Sequence, residues 1–128
     1  MSVTIAWDEE SIRTRIQEVG AAIRSERGDD EVFLIGILKG SSVFLGDIIR
    51  AIPGPVHYEW VNVNFEISDT ATAEATEIDF FTQFSMQDRH IYVLKDIVTT
   101  GIIESYLLTQ FREKSPATLK LVALIDCP

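Results

Sequence analysis

Ile91-Tyr92-Val93-Leu94-Lys95-Asp96-Ile97-Val98-Thr99-Thr100-Gly101 is the stretch that decides how this chain folds. Ile91 to Leu94 is a short apolar run of the kind a parallel sheet buries on both faces. Thr99-Thr100-Gly101 supplies a turn, and Ile102 to Glu113 then reads as a helix with Ile103, Leu107 and Phe111 on one face. A strand that passes through a Gly-containing loop into a helix gathers loop N–H groups and the helix N-terminus at one point, which suits a phosphate. The same spacing describes an ordinary βα turn in which Asp96 bonds locally. The residues alone leave both readings open.

The rest of the chain extends this pattern. Upstream, Asp8 reads as an N-cap followed by Glu9 and Glu10, with Ile12, Ile16, Val19 and Ile23 on one helical face and Gly28 as the stop. Val32 to Leu38 is a continuous apolar strand. Lys39-Gly40-Ser41-Ser42 is a tight loop, and Val43 to Ile52 is a helix ended by Pro53-Gly54-Pro55. Val56 to Ile67 reads as a strand with Val61, Val63, Phe65 and Ile67 on one face and Tyr58, Trp60, Asn62 and Asn64 on the other. Ser68 to Thr76 reads as a mobile loop; Ile78, Phe80 and Phe84 share a face of an edge strand; Leu119 to Ile125 is the last strand. Strands separated by helices predict an α/β fold, with helices flanking a largely parallel sheet, in one domain over residues 1–128. Ligands in such sheets sit at the carboxyl ends of strands, here the loops 39–42 and 95–101.

The first of these loops offers backbone N–H groups, the Lys39 ammonium and two serine hydroxyls to an anion. Spacing alone favours a plain βα loop with Ser as N-cap. No Walker A pattern and no G-x-G-x-x-G accompanies it.

The composition narrows the function further. A net charge of −9 argues against nonspecific nucleic-acid binding. Arg13, Arg15, Arg24 and Arg27 share a helix with acidic residues and read as a solvated face. No apolar run reaches membrane-spanning length, and the N-terminus lacks a signal-peptide core, so a cytoplasmic protein is expected. His57 and His90 have no second ligand at metal spacing, and the single cysteine, Cys127, reads as an inert thiol.

Together the two loops resemble the purine phosphoribosyltransferases, specifically the hypoxanthine-guanine branch with its Rossmann-like type I core. The resemblance rests on Val32 through Ile52, with Leu38-Lys39-Gly40 at its centre, on Asp96-Ile97-Val98 and Thr100-Gly101, on Ser105 to Leu108, and on Leu124 to Pro128. Such enzymes transfer ribose 5-phosphate from phosphoribosyl pyrophosphate to a purine base with magnesium. The resemblance implies a pyrophosphate loop at Leu38, Lys39 and Gly40 with a cis Leu38–Lys39 peptide. It implies a 5′-phosphate loop at Asp96, Thr99, Thr100, Gly101, Ile102 and Ile103, preceded by Lys95.

The signature loop departs from the family pattern Glu-Asp-Ile-Val-Asp-Thr-Gly. Lys95 stands where the first carboxylate is expected and Thr99 where the third, the proposed proton carrier, is expected. Thr99 cannot serve as a general base near neutral pH. Ile103 replaces a hydroxyl residue, and Asn64-Phe65 replaces a Ser-Tyr pair. The purine-binding hood that the family carries beyond the position of Pro128 is expected to be missing. The expectation is a non-catalytic or impaired relative that keeps a phosphate-binding scaffold, with no certain catalytic or metal residue. It binds a small phosphate ligand or phosphoribosyl pyrophosphate, with magnesium only if the latter, and it forms a homo-oligomer, with Tyr58, Trp60 and the Phe80-Phe81-Phe84 cluster as candidate surface. The alternative is an active purine phosphoribosyltransferase.

Overall fold

The strand β1 (Val32–Ile37) is buried at every position, which explains its unbroken apolar sequence: both of its faces are covered. A computed structural model describes Thr4, residues 7 to 67 and residues 73 to 126, with residues 65–67 and 73–76 described in backbone only. The remaining elements are α1 (Glu9–Arg27), α2 (Ser42–Ala51), β2 (Val56–Ile67), β3 (Ala73–Phe80), β4 (His90–Val98), α3 (Ile102–Arg112) and β5 (Thr118–Asp126). The five strands form one sheet in the order β3-β2-β1-β4-β5. All neighbours are parallel except β2 and β3, whose antiparallel register shifts between Asn64 and Phe65.

Alternation along the strands divides the core in two. Val32 and Leu34 of β1 and Tyr92 and Leu94 of β4 face α1 and α2, where they meet Ile16, Ile23, Phe44, Leu45 and Ile48. Phe33, Ile35 and Ile37 join Val61, Val63, Ile91 and Val93 against Leu107 and Phe111 of α3. The chain leaves β1 through α2 to reach β2 on one side, and leaves β4 through α3 to reach β5 on the other. The crossover direction therefore reverses between β1 and β4, which makes a crevice at their carboxyl ends.

Local signals fix the helices. Asp8 caps α1 by accepting from the Ser11 N–H at 2.8 Å; hydrogen bonding from Ser11, first among the causes, holds its carboxyl below the ordinary range. Gly28 ends the helix at φ 63°, a conformation that favours glycine. Gly20 faces α2 so closely that a Cβ there would lie 2.7 Å from the Ala51 carbonyl oxygen. At the other end of the sheet from the crevice, the Arg24 guanidinium donates to the carbonyls of Gly28, Asp30, Pro53 and Pro55, tying the end of α1 to the turn before β2. Glu26 accepts from the Tyr92 hydroxyl at 2.8 Å and from the Lys120 ammonium at 2.5 Å, so α1 is also bonded to β4 and β5.

Three expectations change. Residues 73–76 belong to β3, not to a loop, because 73–75 pair with β2 beyond the register shift at which Thr76 is left over; residues 68–72 and Cys127 lie outside the described residues. Phe84 lies past the end of β3 and folds back so that its ring meets Phe80 at 5.7 Å between centroids. On α3, Glu104 joins Leu107 and Phe111 as the buried residues, and Ile103 is only partly covered. Of the aromatic candidates for an exposed surface, Tyr58 and Phe81 are at least half exposed, Phe80 is 39% exposed, and Trp60 and Phe84 are half-buried.

The Gly20 contact sets a first expectation. A helix gains up to about 1 kcal/mol from Gly→Ala, but overpacking costs about 1–3 kcal/mol, and the atom in the way is backbone that cannot rotate aside. Gly20→Ala should lower stability by about 1 kcal/mol, read as an earlier urea midpoint. The second concerns Glu104, which is 5% exposed and makes no hydrogen bond or ion pair with another described residue. A leucine there would add apolar burial beside Leu107 and Phe111 (about 0.8 kcal/mol for each buried methylene-sized group), which outweighs losing the carboxylate's interaction with the helix dipole (about 0.3–1 kcal/mol). Glu104→Leu should therefore raise the melting temperature. The third is a pH dependence. Hydrogen bonds from Lys120 and then Tyr92 hold Glu26 below its ordinary value near 4.5, so its stabilising contribution is present above that value and is lost as the pH falls through its lowered folded value. Glu26→Gln takes up one linked proton fewer on unfolding, so its acid unfolding monitored by circular dichroism should be less steep, spread over a broader pH range.

Candidate anion-binding site

The crevice between β1 and β4 brings together the two loops singled out by sequence. β1 ends at Ile37, and the Leu38 N–H is held by the Val61 carbonyl at 2.9 Å. The Leu38–Lys39 peptide is cis, as the resemblance implied. Lys39 and Gly40 are exposed at the turn, and among the described residues their N–H groups find no acceptor. The two serine hydroxyls are engaged within the loop. Buried Ser41 donates to the Ile37 carbonyl instead of capping α2, and Ser42 donates to the Lys39 carbonyl. What this loop offers an anion is thus backbone N–H and the Lys39 ammonium.

Asp96 comes down beside this loop. A Cβ on Gly40 would lie 2.7 Å from Asp96 Oδ2 and 3.0 Å from Oδ1. A side chain at position 40 would have to push this carboxylate out of its place. Asp96 Oδ1 is buried and has no hydrogen-bond partner; its nearest charge is the Lys95 ammonium at 3.5 Å. Lys95 and Asp96 are both partly buried.

The strand β4 is longer than its apolar core suggested. Lys95 to Val98 are strand residues, with Lys95 opposite Ala123 and Ile97 opposite Ile125 of β5. Only Thr99, Thr100 and Gly101 turn. Gly101 sits in the left-handed region at φ 76° and caps α3 without a side-chain hydrogen bond; the Ile102 N–H reaches Thr100 Oγ1 at a long 3.4 Å. The first intrahelical bond runs from Ser105 N–H to the Gly101 carbonyl at 2.9 Å, so among the described residues the N–H groups of Ile103 and Glu104 ahead of it are open at the helix start. Thr99 and Thr100 are exposed, Ile102 is 60% exposed, and Ile103 is half-buried against the α3-side core. Sequence reasoning missed Glu104, whose spacing with Leu107 and Phe111 was the available signal.

The magnesium implied by the resemblance does not fit these side chains. Such an ion takes oxygen ligands, often one or two carboxylates completed by substrate phosphates. Among the described residues no group of three or more His, Cys, Asp or Glu side chains is placed for a metal, which by itself does not decide the matter. The Lys95 ammonium does. Like unit charges 4 Å apart near a protein surface repel by about 4 kcal/mol, and a divalent ion doubles that. A divalent ion at Asp96 would gain from the carboxylate about what it loses to this ammonium, so the pair offers it no net attraction.

Among the described residues no helix is long and apolar enough to cross a membrane. No protein-family model matches the chain. Individual relatives do. The hypoxanthine-guanine phosphoribosyltransferase of Bacillus subtilis is 31% identical over 120 residues, covering 94% of this chain and 67% of the relative. The same enzyme of Mycobacterium avium is 31% identical over 126 residues, of which this chain spans 62% of the length. Among solved structures, a point mutant of the hypoxanthine phosphoribosyltransferase of Trypanosoma cruzi, complexed with the product IMP, superposes with a TM-score of 0.81 at 30% identity over 98% of this chain and 68% of that one. The Bacillus anthracis hypoxanthine-guanine phosphoribosyltransferase superposes with a TM-score of 0.81 at 25% identity over 100% of this chain and 74% of the other. With this sheet, this crevice and these relatives, the chain belongs to the hypoxanthine-guanine phosphoribosyltransferase family.

Proposed function

We propose that this chain is a cytoplasmic relative that keeps the phosphate-binding scaffold of its family and has lost most or all of the transferase chemistry. The observation that carries the reading is the Lys95–Asp96 ion pair in the crevice. The family pattern places adjacent carboxylates there to hold ribose hydroxyls; here a carboxylate and an ammonium neutralise one another. Thr99 stands at the position of the proton carrier, and loss of a general acid–base group typically costs about 10²–10⁴-fold in rate.

Support for retained binding comes from the free N–H groups of Lys39 and Gly40 and from the open first turn of α3. The ligand in this reading is phosphoribosyl pyrophosphate or another small phosphate, held by Leu38, Lys39 and Gly40 on one side and by Thr99, Thr100, Gly101, Ile102 and Ile103 on the other. A homo-oligomer belongs to the same proposal, with exposed Tyr58 and Phe81 as its candidate contact surface. The competing reading, an active purine phosphoribosyltransferase, draws on family membership and on the intact Leu38-Lys39-Gly40 loop.

The deciding experiment is formation of purine nucleotide from phosphoribosyl pyrophosphate, magnesium and hypoxanthine or guanine. The expected result is no turnover by this chain while calorimetry with phosphoribosyl pyrophosphate registers binding. Nucleotide formation at an ordinary enzymatic rate of about 1–10³ per second would overturn the proposal and establish the active transferase.

A further inference from the structure

We propose that the crevice binds its anion without a divalent metal, with the Lys95 ammonium in the place of the ion. The inference deepens the phosphate-binding reading above and rests on it. It names the ligand class as a diphosphate group, free or carried on a sugar.

The argument starts from the mismatch between magnesium and the side chains present. Lys95 extends from β4 to within 3.5 Å of Asp96 Oδ1, and that carboxylate lies against the Gly40 backbone. The ammonium is thereby fixed beside the loop whose N–H groups are open. An ammonium has three donors, and at 3.5 Å from Asp96 Oδ1 that of Lys95 makes an ion pair without a hydrogen bond, so its donors remain for a bound oxygen. Lys39 supplies a second cation on the same turn. Two lysines, two backbone N–H groups and the α3 terminus gather positive charge and donors at the carboxyl ends of β1 and β4, in a chain whose net charge is −9. A diphosphate carries several negative charges at neutral pH and usually requires a counter-ion; here the counter-ion is covalently part of the strand.

Asp96 has a defined part in this arrangement. It holds the ammonium in the crevice, as a positioning residue, and it contributes nothing directly to an anion. A salt bridge between adjacent, partly exposed residues adds little to stability, so the pair's contribution is to placement rather than to the fold.

The test is calorimetric titration of the whole chain with inorganic pyrophosphate, once with a chelator and once with magnesium in excess. Binding in chelator as tight as with magnesium supports the proposal. Lys95→Gln should then weaken it by about 10-fold or more, the worth of a charged hydrogen bond. Lys95→Arg should retain metal-free binding, and Lys95→Glu should bind only when magnesium is present. Circular dichroism of each variant establishes that it is folded, and the Arg variant stands in should Lys95→Glu not fold. Binding that requires magnesium overturns this inference and leaves the phosphate-binding reading intact. Metal-free binding that Lys95→Gln does not weaken overturns the part given to Lys95. No binding under either condition overturns the phosphate-binding reading itself, and this inference with it.

Discussion

The parallel pairing of β1 with β4 is the constraint on which the other features depend. Both strands are covered on both faces through their apolar stretches, and neither can slip without exposing a core layer. Their crossover helices leave on opposite sides of the sheet. The ends of the two strands are therefore the one place where neither α2 nor α3 lies over the gap. Gly40 and Asp96 meet there because the sheet brings them there, and the absence of a side chain at position 40 is what lets them approach.

That geometry separates the backbone of the site from its side chains. The cis Leu38–Lys39 turn and the left-handed Gly101 are properties of the chain path. Lys95, Thr99 and Ile103 are not; each could be exchanged without altering the strand pairing or the helix start. The same crevice can consequently present an acidic rim suited to a metal or a basic rim suited to an anion. In the proposed reading Lys95, beside Asp96, tips the balance toward the anion.

Much of this is legible in the sequence. The buried strands announce themselves as apolar runs because they have no solvent face to alternate with, and Asp8, Gly28 and Pro53 punctuate the helices as capping chemistry requires. β2 is readable to both of its ends. What the sequence hides depends on distant partners. Lys95 to Val98 look like loop because they are polar or mixed, yet β5 supplies the edge that makes them strand. Residues 73–76 look like loop for the same reason and are strand because β2 reaches that far. The serine hydroxyls at 41 and 42 look free to point at a ligand, but the tight turn uses them to satisfy its own carbonyls. Glu104 is easily passed over because a carboxylate is rarely placed on the inner face of a helix.

Arg24 gathers four carbonyl oxygens from two separate turns at the end of the sheet opposite the crevice. Glu26, on the next helical position but one, ties the same end of α1 to β4 and β5. The polar bonds that tie α1 to the sheet are thus gathered at the end away from the crevice. A side chain exchanged at the crevice leaves every one of them in place, so the chemistry of that end can vary without loosening the hold of α1 on the strands.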